Sequence, residues 1–205
     1  GEQGAQHSQA LHAWFAHVPG LRVVMPSTVA DARDLLIASV LCNDPVMYID
    51  DRWLYDQEDE LPPVVELNLT TQRPMVSITG GDITIVASGH ASLLAREAAQ
   101  QLENENVSVE VVDVRVLNPF HAEEIIESVK KTKNLLVVDS GWISGGFSAE
   151  VIAKVVEQLP VDCLSSPPVR VALPDAPAPT SRVLEKAYYT STNDVVEAVK
   201  KILKK

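Results

Sequence analysis

Hydrophobic and polar positions fall into blocks along this chain, and the period changes from block to block. From residue 82 onward, apolar runs take turns with amphipathic stretches. The runs are DITIVAS (82–88), VSVEVVDVR (107–115), NLLVVD (134–139) and VRVAL (169–173). The stretches are ASLLAREAAQQLENE (91–105), AEEIIESVKK (122–131), SAEVIAKVVEQL (148–159) and STNDVVEAVKKILKK (191–205). Near-continuous apolar runs predict strands covered on both faces, and strands alternating with helices predict a parallel sheet. Lysines close the last stretch, where they suit the negative end of a helix.

The front of the chain repeats the pattern on a smaller scale. Residues 7–18 are predicted to form one helix, with His7, Leu11, Trp14, Phe15 and Val18 on an apolar face, stopped by Pro19 and Gly20. LRVVM (21–25) reads as a strand. Ser27 or Thr28 then caps a helix to about residue 41, with Val29, Ala32, Leu35, Leu36 and Val40 toward a core, and PVMYI (45–49) is the next strand. A strand–helix–strand unit again implies parallel pairing. Between residues 51 and 81 the periodicity lapses. Pro62, Pro63, Pro74 and the acidic cluster at 56–60 predict a connector crossing a surface.

At 205 residues the chain has room for one large α/β domain, or one domain plus part of another. A formal charge of −11 opposes nucleic acid as a partner and fits a soluble enzyme or an acidic surface for a basic partner. No apolar run approaches the length that spans a membrane, roughly 18 residues. Cys42 and Cys163 lie far apart among apolar neighbours and are expected to be reduced and packed, which fits a cytoplasmic setting. The chain opens GEQG, without Met, so a preceding targeting segment stays open.

Four stretches offer chemistry. Gly141, Gly145 and Gly146 lie between a strand and a helix, but G-x-x-x-G-G is neither the dinucleotide fingerprint nor a P-loop, so a tight turn is expected and NAD is rejected. In Ser88-Gly89-His90-Ala91-Ser92 the better account of Ser88 is helix capping, because the segment is not a G-x-S-x-G elbow. The five histidines form no metal pair, and His12 and His17, five apart, align poorly on one helix face. His7 stands apart: at the start of a helix the positive end would keep its ring neutral, able to donate or accept a proton near pH 7. The predicted helix end at 38–45 leaves orphan carbonyls before Pro45 for water, caps or a hard cation.

Several segments, taken in order, resemble a known family. They are GAQHSQALHAWFAHVPGLRVVMPS, DARDLLIASVLCNDPV, VEVVDVRVLNPF, SVKKTKNLLVVDSGW, GGFSAEV and PPVRVALPDAPAP. The family is the β subunit of thiamine-diphosphate-dependent 2-oxo acid dehydrogenase decarboxylases, of the pyruvate and branched-chain type. Gln6-His7-Ser8-Gln9 through Pro19-Gly20 sets the chain apart from transketolase and deoxyxylulose-phosphate synthase, which share the fold.

The resemblance implies an α/β, three-layer αβα fold. Residues 1–52 would be the end of a pyrimidine-binding domain, 53–77 a linker, and 78–205 a complete transketolase C-terminal domain with a mostly parallel sheet. It implies a reaction in which the thiazolium ylid adds to a 2-oxo acid, CO₂ leaves and the acyl unit passes to lipoate. The implied partners are an α subunit, which carries the Mg-diphosphate clamp, a second β subunit, and a lipoyl acyltransferase core. The glutamate that activates the aminopyrimidine belongs to a region in front of residue 1, so no cofactor-binding residue is inherited here.

His7 matches the family's active-site histidine at the α/β interface. Ser39, Val40, Cys42 and Asp44 match a potassium site built of backbone oxygens. Two stretches depart from the pattern: Asp139 stands where many members have Glu, and Cys163-Leu164-Ser165-Ser166-Pro167 replaces Leu-Asp-Ala-Pro. Two other readings stand beside this one, a non-catalytic dimerisation and docking module and a thiamine enzyme acting on acetoin or a sugar.

Overall fold

The structure is a computed structural model that describes residues 3–205. At the front, the expected single helix comes apart into α1 (Gly4–His7) and α2 (His12–Ala16). The predicted apolar face is also rotated. Trp14 is 64% exposed and Val18 is exposed, whereas His12 is 1% exposed, and Ala13, Phe15 and Ala16 are the residues packed inward. A polar partner waiting for His12 in the core, described below, outweighs the gain from burying an indole there.

Next come β1 (Arg22–Val24), α3 (Val29–Leu41) and β2 (Val46–Tyr48), with β1 and β2 parallel as expected. Thr28 is the cap of α3, its Oγ1 accepting from the Asp31 amide at 3.1 Å. Leu35 and Ala38 face the core. Leu36 and Val40, expected to join them, are exposed, Val40 by 77%. A short 3-10 turn (Arg52–Leu54) follows.

The stretch read as connector ends in a strand, β3 (Met75–Ile78), which runs antiparallel to a later strand. Then come β4 (Ile83–Ala87), α4 (His90–Glu103), β5 (Val109–Asp113), β6 (Val116–Asn118), α5 (Glu123–Thr132), β7 (Leu135–Trp142), α6 (Phe147–Gln158), β8 (Val169–Leu173), α7 (Arg182–Tyr188) and α8 (Thr192–Leu203). Neither β3, β6 nor α7 is marked by a clear period in the sequence. Each is too short for one.

The large sheet has the order β3-β5-β4-β7-β8 and is parallel except at β3. Side chains leave a strand alternately to its two faces. Ile83, Ile85, Val109, Val111, Leu136 and Val138 therefore meet α4 and α8 through Leu94, Ala95, Ala98, Val195 and Val199. Val86, Val112, Leu135 and Val137 meet α5 and α6 through Ile125, Val129, Val151 and Val155. This is the three-layer αβα architecture. Ser191 opens α8 with a reciprocal capping box to Asp194, which satisfies two backbone donors at that helix end.

β6 ties the front to the rest. It leaves β5 after two residues and pairs antiparallel with β1, giving a small sheet of order β2-β1-β6. The tie is also polar. Arg115 Nη1 donates to Asp31 Oδ1 at 2.9 Å, and Arg96 donates to Ser27 through Nη1 to Oγ at 3.0 Å and Nη2 to the carbonyl at 3.1 Å.

Candidate functional site

In an open parallel sheet, ligands gather outside the carboxyl ends of the strands at the point where the winding reverses. Here that point lies between β4 and β7. The turn after β4 is glycine-dependent: Gly89 has φ +54°, and a Cβ on it would lie 2.6 Å from Met25 Cε. Gly89, rather than Ser88, is the N-cap of α4, and the Ser88 hydroxyl points instead to Met25 Sδ at 3.7 Å. Helix capping therefore does not account for Ser88.

The crevice is filled by the chain's own front segment. His12 Nε2 lies 2.9 Å from Asp139 Oδ1, and both residues are buried. The same carboxylate accepts from the Gly141 amide at 2.8 Å and the Ser148 amide at 2.7 Å. Burial pushes the Asp139 carboxyl up, but the hydrogen bond and charge of His12 with the two amides outweigh it and hold the group below the usual carboxylate range. The glycine loop is built around this pair. A Cβ on Gly141 would lie 3.3 Å from His12 Cε1, and one on Gly146 would lie 2.2 Å from the Trp142 carbonyl oxygen. The loop is thus a tight turn at the entrance of α6, and Asp139, a departure from the family pattern, has its own partner in His12.

A second buried carboxylate sits at the end of β5. Asp113 accepts from Ser92 Oγ at 2.8 Å and from a very close Ser27 Oγ, with Arg96 Nη1 at 3.8 Å. Burial pushes this carboxyl up to about 6, against the two hydroxyls and Arg96.

His7 is exposed, and it is the last residue of α1, at the carbonyl end. The argument from the positive end of a long helix therefore does not apply to it. The residue after it, Ser8, is where this end of the chain is tied down. Tyr189 Oη donates to the Ser8 carbonyl at 2.5 Å. Trp53, on the 3-10 turn, meets the Tyr189 ring edge-on at 6.1 Å and stacks on His90 at 5.6 Å. Burial depresses the pKa of His90, while Asp51 and Glu97 pull it the other way.

At the end of α3, Ser39 Oγ donates back to the Leu35 carbonyl at 2.6 Å, and the Ser39 carbonyl accepts from the Cys42 amide at a long 3.4 Å. Val40 faces solvent. Asp44 Oδ2 takes both Arg22 Nε at 2.8 Å and Nη2 at 2.6 Å. Cys42 and Cys163 are free thiols, partly buried. Among the described residues no group of three or more His, Cys, Asp or Glu side chains is arranged to hold a metal ion. Among the described residues no helix is long and apolar enough to cross a membrane.

Sequence reasoning brought out His7 and the end of α3 but missed His12, Asp113 and Tyr189. The partners of these three lie 127, 86 and 181 residues away along the chain, for Asp139, Ser27 and Ser8 respectively. Two signals were present: a histidine on the wrong side of an amphipathic stretch, and an aspartate ending an apolar strand.

The sheet order and the parallel pairing of its central strands define an open α/β domain. The family described as "Transketolase, C-terminal domain" matches residues 75–195, and "Transketolase, pyrimidine binding domain" matches residues 1–57. The chain belongs to the transketolase C-terminal domain family.

Its relatives are more particular. It is 37% identical over 198 residues to the pyruvate dehydrogenase E1 component subunit beta of Rhizobium meliloti (strain 1021), covering 97% of this chain and 43% of that protein. The mitochondrial subunit of Caenorhabditis elegans is 38% identical over 202 residues, 97% of this chain and 57% of that one. The mitochondrial subunit of Homo sapiens is 34% identical, covering 97% and 56%. Among solved structures, "Split gene transketolase, inactive beta4 tetramer" superposes with a TM-score of 0.74 at 28% identity, covering 94% of this chain and 60% of that chain. The chain thus spans about half the length of the curated relatives it matches.

Proposed function

We propose that this chain is part of the β subunit of a thiamine-diphosphate-dependent 2-oxo acid dehydrogenase decarboxylase. The observation that carries the proposal is similarity along 97% of the chain to pyruvate dehydrogenase E1 β subunits. Residues 1–52 are assigned to the end of a pyrimidine-binding domain, 53–77 to a linker and 78–205 to the C-terminal domain. The pairing of β3 with β5 draws the last linker residues into that domain's sheet.

His7 is the residue assigned to the chemistry. It is exposed on the rim where α1, the 3-10 turn and the end of α7 meet, so an imidazole there is reachable by a group brought in on a partner. Its task is to donate or accept a proton while the acyl unit passes to lipoate.

The Mg-diphosphate of the cofactor finds no fit among the described residues, whose side chains offer no cluster of hard ligands. No step is routed through it, and the clamp is assigned to the α subunit. Potassium is a different case. The last-turn carbonyls of α3, at Ser39 and Val40, with those of Cys42 and Asp44, are the right donor type for a monovalent cation, and we assign the site to them.

Partners follow from the same reading: an α subunit, a second β subunit and a basic docking module of a lipoyl acyltransferase core, which a chain of charge −11 suits. A cytoplasmic setting accords with two free thiols. One observation favours the docking-module reading as well. The named structural neighbour is an inactive β tetramer, so this scaffold assembles without catalysis in at least that protein.

The test restores the region that precedes residue 1, co-expresses the subunit with its α partner, adds Mg-thiamine diphosphate and follows decarboxylation of several 2-oxo acids with an artificial electron acceptor. Turnover on one acid supports the proposal and names the substrate. A folded, cofactor-loaded assembly that turns over none points to an acetoin- or sugar-directed enzyme. Failure to assemble or to load cofactor favours the docking module.

A further inference from the structure

A helix of four residues has too few internal hydrogen bonds to hold itself in water, so whatever fixes α1 fixes His7. At its front, Gly4 is buried with φ +66°, so close to Thr180 that a Cβ would lie 2.8 Å from Oγ1. At its rear stands Ser8, the residue after His7 and the C-cap of the helix. The Ser8 amide donates back to the Gly4 carbonyl at 3.1 Å, and the Ser8 carbonyl accepts from Tyr189 Oη at 2.5 Å.

Tyr189 is itself held in place. It caps the end of α7, its amide donates to the Glu185 carbonyl at 3.0 Å, and its ring meets Tyr188 edge-on at 5.0 Å and Trp53 at 6.1 Å. Tyr188 in turn donates to the Ala176 carbonyl at 2.7 Å and lies 2.9 Å from Trp142 Nε1, so this aromatic chain ends on β7 at the carboxyl edge of the sheet. Burial raises the Tyr189 phenol above its ordinary value, which keeps it a hydrogen-bond donor across the neutral range. The Tyr189 ring packs against the Leu173, Ala178 and Tyr188 cluster, while its hydroxyl reaches out to the carbonyl beside His7.

We propose that Tyr189 is a positioning residue for His7: its hydroxyl clamps the carbonyl next to the histidine and thereby sets where the imidazole stands. The proposal rests on the reading of His7 given above. Tyr189 touches no reacting atom in this scheme. It acts through the backbone of Ser8 alone, and the effect is geometric, since small misplacements of a catalytic group are costly to rate.

Tyr189→Phe removes the hydroxyl and keeps the ring packing, and it is examined in two ways. In this chain as it stands, hydrogen–deuterium exchange at the Ser8 amide is expected to quicken about tenfold in the variant, with exchange in β4, β5 and β7 unchanged. Equal exchange at Ser8 would overturn the clamp. In the restored and cofactor-loaded assembly, the variant is expected to lower kcat for acyl transfer to a lipoyl acceptor about five- to tenfold, with KM for the 2-oxo acid unchanged. Combined with His7→Ala, it is expected to add nothing further, because it acts only through His7. Multiplying losses in the double variant would show that Tyr189 serves another group and would overturn the proposal. If His7→Ala slows transfer and Tyr189→Phe does not, the positioning role alone falls. If His7→Ala changes nothing, the reading of His7 falls and this one with it.

Discussion

Replacing His12 by alanine tests the account of the filled crevice. His12 and Asp139 are both buried, and the imidazole is the neighbour that most lowers the carboxyl. Removing one member of a buried pair leaves the other uncompensated, at a cost of about 3–5 kcal/mol. Asp139 would keep its two amide donors, from Gly141 and Ser148, which places the loss toward the low end, about 3 kcal/mol. Against a total stability of about 5–15 kcal/mol, that is a large share.

Urea unfolding of the chain, followed by circular dichroism and tryptophan fluorescence, would show the midpoint falling with the slope unchanged. A cycle with Asp139→Asn isolates the pair, and a coupling of about 1–3 kcal/mol is expected. The sign of the pH dependence follows from the direction of the shift. Asp139 is held below its unfolded value, so its stabilising contribution is present above that value, about 3.9, and is lost as pH falls through the lower folded value. The loss in His12→Ala should therefore be full at pH 7. A loss under about 1 kcal/mol at pH 7, or no coupling in the cycle, would refute the reasoning.

Asp113 should behave in the opposite sense. Its carboxyl moves from 3.8 to about 6 on folding, so stability present below the unfolded value is lost as pH rises through about 6, by about 3 kcal/mol. Asp113→Asn should flatten the pH dependence of the urea midpoint between about 4 and 7, and an unflattened profile would contradict the assignment. Gly146→Ala should lower the melting temperature sharply, since its Cβ would lie 2.2 Å from a backbone oxygen, whereas Gly81→Ala, with nothing within 4 Å, should leave it nearly unchanged. Potassium should raise the melting temperature of the chain above that in equimolar choline, by mass action on the carbonyls ending α3, and equal values would remove that site.

The pattern of apolar runs and amphipathic stretches was enough, by itself, to determine the αβα architecture and the parallel pairing of β1 with β2 and of the central strands. A strand covered on both faces must be apolar throughout, and a helix covering it must show a stripe, so both leave a local record. The glycine turn at 141–146 was legible for a similar reason, because the spacing of its glycines is a local matter. What only the tertiary structure decided is which side chains meet. The first helix broke in two because His12 finds Asp139 across 127 residues, and a buried polar group goes where its partner is. β3 and β6, three or four residues each, take their structure from the strands beside them. The hydrogen bond from Tyr189 to the Ser8 carbonyl, one residue after His7, has no local record in the sequence. Tyr189 comes within hydrogen-bonding distance of Ser8 only when the two ends of the chain have been folded together.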